Sequence, residues 1–170
     1  MVMLNGEPVD VTEEEIAVWD AKYKNPSNKE EAEYYRKCKI IHAENEKFLD
    51  LFVNELEAKG YSEKTVDRHI LNVDTFINLF LTRSGEPKRM HEGLDELDDF
   101  FRFYIIKCMW SRPYTVRGTC TSLNKFYKCM RENGKICEDQ YVKVTEEIKG
   151  KTAIWVEQCN RWDTTGVWNG

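Results

Sequence analysis

Hydrophobic and polar positions alternate along this chain at steps of three and four residues, which is the period of an amphipathic α-helix. The best-delimited helix begins at Ser111, a good N-cap, carries Pro113 in its first turn and stops at Gly134, a residue suited to the position after a last turn. Its inward positions form one stripe, Val116, Cys120, Leu123, Phe126, Tyr127 and Met130. The pattern predicts a helix with one buried side and one polar side.

A second helix is predicted from Ser27 to Lys59. Ser27 and Glu30 form a capping box, and no helix-breaking residue follows before Gly60. About thirty helical residues span about 45 Å, which is more than one compact domain needs. We therefore expect its N-terminal half to pack against a short helix that begins at Thr12, against the C-terminal segment, or against a second copy of the chain.

The rest of the chain follows the same helical period. Ser62 begins a helix with the sequence SEKTVDRHILNVDTFINLFL, and LDELDDFFRFYIIKCMW predicts another with acidic residues in its first turn. Residues 137–162 predict one helix or two, residues 1–11 a loose arm and residues 163–170 a mobile tail. No strand pattern is present, so the predicted fold class is all-α. Ten inward residues should share one core: Phe52, Val66, Ile70, Phe76, Phe80, Phe100, Tyr104, Leu123, Phe126 and Tyr127.

Length and composition limit the class of protein. A chain of 170 residues allows one real core with appendages, and its 41% hydrophobic content excludes wholesale disorder. No apolar run approaches the roughly 20 residues that span a bilayer, and the N-terminus has neither the basic nor the apolar region of a signal peptide. We expect a soluble, cytoplasmic protein.

Cysteine spacing and the absence of catalytic motifs argue against a metal site and against an enzyme. The six cysteines include no C-x-x-C pair, and His42, His69 and His91 are not placed as a second pair of ligands. Most thiols lie on predicted apolar faces, where reduced cysteine acts as a small hydrophobic residue. No glycine-rich phosphate loop or nucleophile elbow occurs. We predict no metal, no cofactor and no catalytic residues. His69 is interpreted as an ordinary residue of an amphipathic face, with phosphate contact as the alternative.

Charge is unevenly distributed. The chain has a formal net charge of −5, yet residues 111–134 hold five Lys or Arg and one acid, so this segment carries +4 and the remainder −9. A helix that concentrates cations in an acidic molecule is a candidate surface for contact with anions. The alternative is an ordinary solvated helix face.

Two segments together resemble a known family. They are FLDLFVNELEAKGYSEKTVDRHILNVDTFINLF, residues 48–80, and SRPYTVRGTCTSLNKFYKCMRENGKI, residues 111–136. This order of Ser-capped helices resembles the core-binding domain of tyrosine recombinases, a SAM-like four-helix unit, in a small stand-alone form. The resemblance covers about residues 44–136, the core-binding-like domain. The residue pattern adds a helical extension at 1–43, a helical segment at 137–162 and a flexible tail at 163–170.

In those recombinases the unit clamps duplex DNA with the starts of its two Ser-capped helices. The resemblance therefore implies DNA contacts from Ser62, Lys64, Thr65 and Arg68 on the first helix. On the second it implies contacts from Arg112, Tyr114, Thr115, Arg117, Thr121 and Lys125. Lys128 is a further expected phosphate contact, since cations, hydroxyls and helix N-termini suit phosphate. After Gly134 the chain has 36 residues with one arginine, Arg161, and no histidine, so the recombinase Arg/His/Arg/Tyr set cannot be placed.

Two functions remain open at this point. The first is a non-catalytic DNA-binding module. The second is a protein-interaction or oligomerisation module, such as a homodimer, that uses the helix from Ser27 to Lys59. A continuous positive surface would favour the first, and carboxylates between the cations the second. The residues that decide are Lys64, Arg68, Arg112, Arg117, Thr121 and Lys125.

Overall fold

A computed structural model describes residues 2–4, 7–9, 29–83, 86–109 and 111–165 of the chain. The helix predicted from Thr12 lies outside the described residues, as does Ser27. The described residues contain two short strands and five α-helices: β1 (Val2–Leu4), β2 (Glu7–Val9), α1 (Lys29–Ala58), α2 (Glu63–Asp74), α3 (Leu97–Asp99), α4 (Pro113–Glu132) and α5 (Glu138–Thr165). The protein is mostly helical, so the predicted all-α class is confirmed. None of the helices in the described ranges is long and apolar enough to cross a lipid bilayer.

The first residues form an antiparallel pair of strands that the sequence pattern did not predict. β1 and β2 pair with Val2 opposite Val9 and Leu4 opposite Glu7. Residues 1–11 were expected to be a loose arm, and that expectation is wrong for these two strands. Three residues per strand are too few for the alternation of a sheet to be recognised in the sequence.

Helix α1 has almost the predicted length and ends at Ala58, two residues before Gly60, whose φ of 80° is left-handed. Its N-terminal half packs within the same chain. The hydroxyl of Tyr34 and the thiol of Cys38 both donate to the carbonyl oxygen of Thr82. The buried amide of Asn45 donates to the carbonyl oxygen of Ile77 at 3.2 Å. The described contacts therefore cover this half of the helix with the residues that follow α2.

Two predicted α-helices contain π-helical segments. Helix α2 continues as a π-helix at Thr75–Phe80, and a 3₁₀ turn at Gly93–Glu96 leads through α3 into a π-helix at Phe100–Cys108. These segments pack against each other through aromatic rings, with the centroids of Phe76 and Phe100 4.8 Å apart and those of Phe80 and Phe100 5.1 Å apart. A plain α-helical reading of both stretches is wrong. The wider turn of a π-helix changes the angle between successive side chains.

Helix α4 begins one residue later than the cap analysis predicts. Arg112 occupies the N-cap, and Ser111 is buried in the junction before it. The Ser111 N–H donates to the Ile105 carbonyl at 3.3 Å, and its own carbonyl lies 2.8 Å from the Cys159 Sγ. Ser111 thus joins three elements instead of capping one. The predicted stop is confirmed, since Gly134 has a φ of 69°.

Helix α5 is continuous and runs antiparallel to α4. Arg131 lies 4.1 Å from the ring centroid of Tyr141, and the hydroxyl of Thr152 donates to Cys120 Sγ at 3.5 Å. The helix extends through Thr165, so the prediction of a tail is wrong for residues 163–165. Residues 166–170 lie outside the described part.

One hydrophobic core joins the helices. Eight of the ten predicted core residues belong to it, and the other two, Ile70 and Tyr104, are partly buried and pack against it. It also includes Trp155, whose ring stacks on Phe101 at 4.2 Å and whose Nε1 donates to Asp98 at 2.9 Å. The core therefore spans the boundary predicted at 136/137, and α1 runs uninterrupted across the one at 43/44.

The thiols divide between the core and the surface. Four are buried and two are exposed. The buried ones are Cys38, Cys120, Cys129 and Cys159, and the exposed ones are Cys108 and Cys137. Burial raises the pKa of Cys120 to about 11 and that of Cys129 to about 12, so both are protonated at neutral pH. These two thiols act as apolar side chains, as the sequence pattern predicts.

Candidate nucleic-acid interface

Helices α2 and α4 carry the predicted DNA contacts and pack side by side. Tyr61, just before α2, accepts a hydrogen bond of 2.9 Å from Lys125, in the second half of α4. Further along α2, His69 and Asn72 reach Ser122. The beginning of α2 therefore lies beside the second half of α4.

A buried polar cluster fixes this packing. His69 Nδ1 lies 2.7 Å from the hydroxyl of Ser122, which also accepts from Asn72 at 3.0 Å and donates to the Gly118 carbonyl at 3.0 Å. If the Ser122 proton goes to the Gly118 carbonyl, Nδ1 of His69 is protonated and donates to Ser122; if it goes to His69, Nδ1 accepts it. In either case α2 and α4 are joined by buried side-chain hydrogen bonds.

His69 is a structural residue in this arrangement. Its side chain is only 4% exposed, which excludes the phosphate contact considered as an alternative from the sequence. Burial lowers the pKa of His69 below 6.5, and the positive charges of Arg68 and Lys125 lower it further. Arg68 and Lys125 therefore lie close enough to act on one buried ring, although they come from different helices.

We call the exposed surface around these two cations the α2–α4 face, defined by Lys64, Arg68, Arg117, Thr121 and Lys125. Each of the five side chains is exposed or half-buried. Within the part of the chain that the structure describes, Lys64, Arg68 and Arg117 form no ion pair, and Lys125 is bonded to a phenol and lies 5.1 Å from its ring centroid. The face thus presents cations whose charge is not neutralised by a bonded carboxylate.

The other predicted site residues lie around this face. Ser62, Tyr114 and Arg112 are exposed, whereas Thr65 and Thr115 are half-buried. The start of α4 is well separated from the start of α2 along the α4 axis, because Pro113 precedes Lys125 by twelve residues, or about 18 Å. The two helix starts therefore lie toward different ends of the face, which does not match a clamp formed from both starts together.

Neither helix start uses a side-chain cap. Ser62 takes the N-cap position of α2, but its hydroxyl donates to Thr65 Oγ1 at 3.0 Å, and no side-chain cap bond occurs there or at Arg112 among the described residues. First-turn N–H groups are left for solvent or an anion. Exposed carboxylates of Glu63 and Asp67 lie on the same helix as Lys64 and Arg68 and weaken the local positive potential.

Lys128 and Arg131, two cations in the second half of α4, are paired with acids. Lys128 lies 3.8 Å from Glu132, and Arg131 lies 3.3 Å from Glu138. Lys128 was a predicted phosphate contact, and this carboxylate competes for its charge. The unpaired part of the positive surface therefore ends at Lys125.

A second surface, where residues 86–96 meet α1, carries the cations Lys37, Lys88 and Arg89 and was not singled out from the sequence. We call it the link cluster. Its cations are paired with acids: Lys37 with Glu86, Lys88 with Glu96, and Arg89 with Glu44 and Glu92. It borders a cleft of about 550 Å³ floored by Ile40, Ile41 and Pro87. The sequence of residues 86–96 contains both acids and bases, and this mixture could have predicted that the charges neutralise one another.

Comparison of the chain with protein-family models, with curated proteins and with solved structures gave no match.

Proposed function

We propose that this chain is a non-catalytic module that binds duplex DNA weakly through phosphate contacts at the α2–α4 face. The observation that supports the proposal is the set of three exposed or half-exposed cations, Arg68, Arg117 and Lys125, which lack a bonded carboxylate among the described residues. Exposed arginine and lysine side chains on rigid helices are the usual phosphate contacts of DNA-binding proteins. The resemblance to the core-binding domain of tyrosine recombinases points to the same two helices.

Such binding would depend strongly on salt and little on sequence. Each phosphate that a cation neutralises contributes about −0.9 to the slope of log K against log salt, so three or four contacts give a slope of about −3. Arg117 and Thr121, one turn apart on α4, are the pair suited to reach a base edge. The hydroxyl of Thr121 already donates to the Arg117 carbonyl at 3.0 Å. Contacts with the backbone would therefore dominate.

The side chain of Lys125 is already ordered in a position from which it can contact a phosphate. Its ammonium group donates to Tyr61, and this bond fixes a side chain that otherwise loses about 2 kcal/mol of rotamer entropy when ordered. The ammonium group has two further N–H groups that can donate hydrogen bonds to a phosphate.

The test replaces Arg117 and Lys125 together by Ala. We expect affinity to fall almost equally for all duplex sequences and the salt slope to flatten by about 2 units, one per lost contact. Fluorescence anisotropy with labelled duplexes at several salt concentrations measures both quantities. The matched control is the double variant Lys37→Ala and Lys88→Ala, which removes the same charge from the link cluster and should leave the salt slope unchanged.

Two results would contradict the proposal. One is wild-type protein that does not retard duplex DNA at about 50 mM salt, where phosphate contacts are strongest, with protein in the tens of micromolar. The other is a control variant that loses as much affinity as the Arg117/Lys125 variant, because binding would then follow net charge and not this face.

A second candidate is a protein-interaction module. It is favoured by Tyr114 and Leu71, which are 76% and 65% exposed and lie on the same two helices. Tyr and Arg are enriched in the centres of protein interfaces. A concentration-dependent oligomer in sedimentation experiments, abolished by Leu71→Asp, would favour this function. Dimerisation through α1, the absence of catalytic activity and a cytoplasmic location remain predictions.

A further inference from the structure

Gly118 lies in the middle of α4, where glycine has no evident structural purpose. It is a regular helical residue, and a Cβ built on it would meet no described atom within 4 Å. Glycine inside a helix is less stable than alanine because its backbone loses more freedom on folding. Neither a turn nor close packing within the described residues explains this glycine.

The position of Gly118 relates it to the α2–α4 face. Its half-exposed main chain is bordered on the helix surface by Tyr114, one turn before, and by Thr121, one turn after, with Arg117 beside it. Its carbonyl accepts the Ser122 hydroxyl, so the backbone at this point is tied to the buried cluster of His69. The helix backbone at Gly118 is therefore uncovered by a side chain and lies next to Arg117, which has no bonded carboxylate among the described residues.

We propose that one sugar–phosphate strand of the duplex crosses α4 at Gly118 in direct contact with the helix main chain. This inference rests on the proposed DNA-binding function and names the point of closest approach. Glycine is the residue that permits a ligand to approach a backbone without a Cβ in the way. A strand at this depth lies within reach of the guanidinium of Arg117 and of a hydroxyl-bearing side chain on the next turn, Thr121.

Gly150 provides a matched control in the same chain. It also lies inside a helix, α5, and a Cβ there would likewise meet no described atom within 4 Å. Its neighbours one turn before are Glu146 and Glu147, which repel phosphate. Replacing either glycine by alanine should raise the melting temperature by about 2–4 °C, since both changes remove the same backbone freedom.

The experiment compares Gly118→Ala, Gly118→Leu, Gly150→Ala and Gly150→Leu in thermal melts and in duplex-binding titrations. We expect both Gly118 variants to stay folded and to bind more weakly in the order Gly, Ala, Leu. For Gly118→Leu the salt slope should flatten by about 1 unit, because a strand displaced from Gly118 also loses its phosphate contact with Arg117. The Gly150 variants should bind as the wild type does.

Failure of this inference has its own signature. If the wild type binds DNA and Gly118→Leu binds equally well, the strand does not cross at Gly118, while the DNA-binding function stands. If the Gly150 variants weaken binding as much as the Gly118 variants, the approach point is also refuted. If the wild type does not bind duplex DNA at all, both the proposed function and this inference fail.

Discussion

The α2–α4 face and the link cluster are both rich in cations, yet they differ in how those cations are used. In the link cluster each cation lies against a carboxylate, as in the 3.1 Å contact between Arg89 Nε and Glu44. On the α2–α4 face Arg68 and Arg117 form no ion pair with the described residues, and the partner of Lys125 is a phenol. A cation paired with an acid contributes little potential to the solvent around it. Pairing, more than the number of basic residues, therefore decides which surface could attract an anion.

The comparison also separates two kinds of structural role. The side chain of Arg89 is only 15% exposed and pairs with Glu44 of α1, so its charge stabilises the fold. Arg117 is exposed on a helix whose opposite side is fully buried, so its charge contributes little to stability. Substituting a buried cation of the link cluster should therefore lower stability with little effect on DNA binding. Substituting an exposed cation of the α2–α4 face should weaken DNA binding with little effect on stability.

The largest effect is expected from removing the core beneath the α2–α4 face. Phe126 is fully buried and packs edge-on against Phe52 at 5.6 Å and Tyr127 at 5.3 Å. Phe126→Ala should lower the free energy of unfolding by about 3–5 kcal/mol, because it leaves a cavity under α1 and α4. Urea denaturation measures the loss. A cost below about 1 kcal/mol would mean that α4 does not pack as described.

The next effect directly compares the two surfaces. Arg89→Ala leaves the partly buried Glu44 without its charged partner and should cost about 1.5–3 kcal/mol, the range for hydrogen bonds to charged groups. Arg117→Ala should change stability by no more than about 0.5 kcal/mol, as for an exposed side chain. The same urea experiment serves both variants. Equal losses of stability in the two variants would show that Arg89 and Arg117 do not differ in their contribution to the fold.

The smallest effect uses His69 as a probe of the face. Its pKa in the folded protein is lowered by burial and by Arg68 and Lys125, so the unfolded chain binds the proton more tightly. Stability should be highest above the unfolded pKa of 6.5 and fall as the pH drops through that value towards the folded pKa. The slope from this one group cannot exceed about 1.4 kcal/mol per pH unit.

Two variants test the origin of this pH dependence. His69→Asn keeps an N–H near the position of Nδ1 and does not titrate, so its stability should depend less on pH between about 7 and 5. Arg68→Ala should raise the pKa of His69, measured by NMR titration of the ring, because one of the two neighbouring positive charges is gone. An unchanged pKa would show that Arg68 does not act on the ring.

Much of the helical framework could be predicted because its signals are local. The stripe that ends at Met130, the stop at Gly134 and the stop at Gly60 follow from the helical period and from the left-handed backbone that glycine accepts. The junction at Ser111 could not be predicted, because its partners Ile105 and Cys159 belong to other elements. Ser111, a residue suited to an N-cap, is instead buried at this junction.

The candidate site was predictable only as a set of exposed residues. All eleven predicted contacts are exposed or half-buried in the structure, since the polar side of an amphipathic helix faces solvent. Their grouping was not predictable, because it depends on how α2 crosses α4. Gly118 was also overlooked, since a single glycine in a helix gives no signal until the space around it is known.

The sequence by itself determined the helices, their buried sides and the composition of the core, because side chains three and four residues apart share a face in any α-helix. The tertiary structure decided which charges are neutralised. Glu44 and Arg89 are 45 residues apart, and Lys37 and Glu86 are 49 apart, so their pairing exists only once the chain is folded. The same holds for the contact between His69 and Ser122, which are 53 residues apart on α2 and α4.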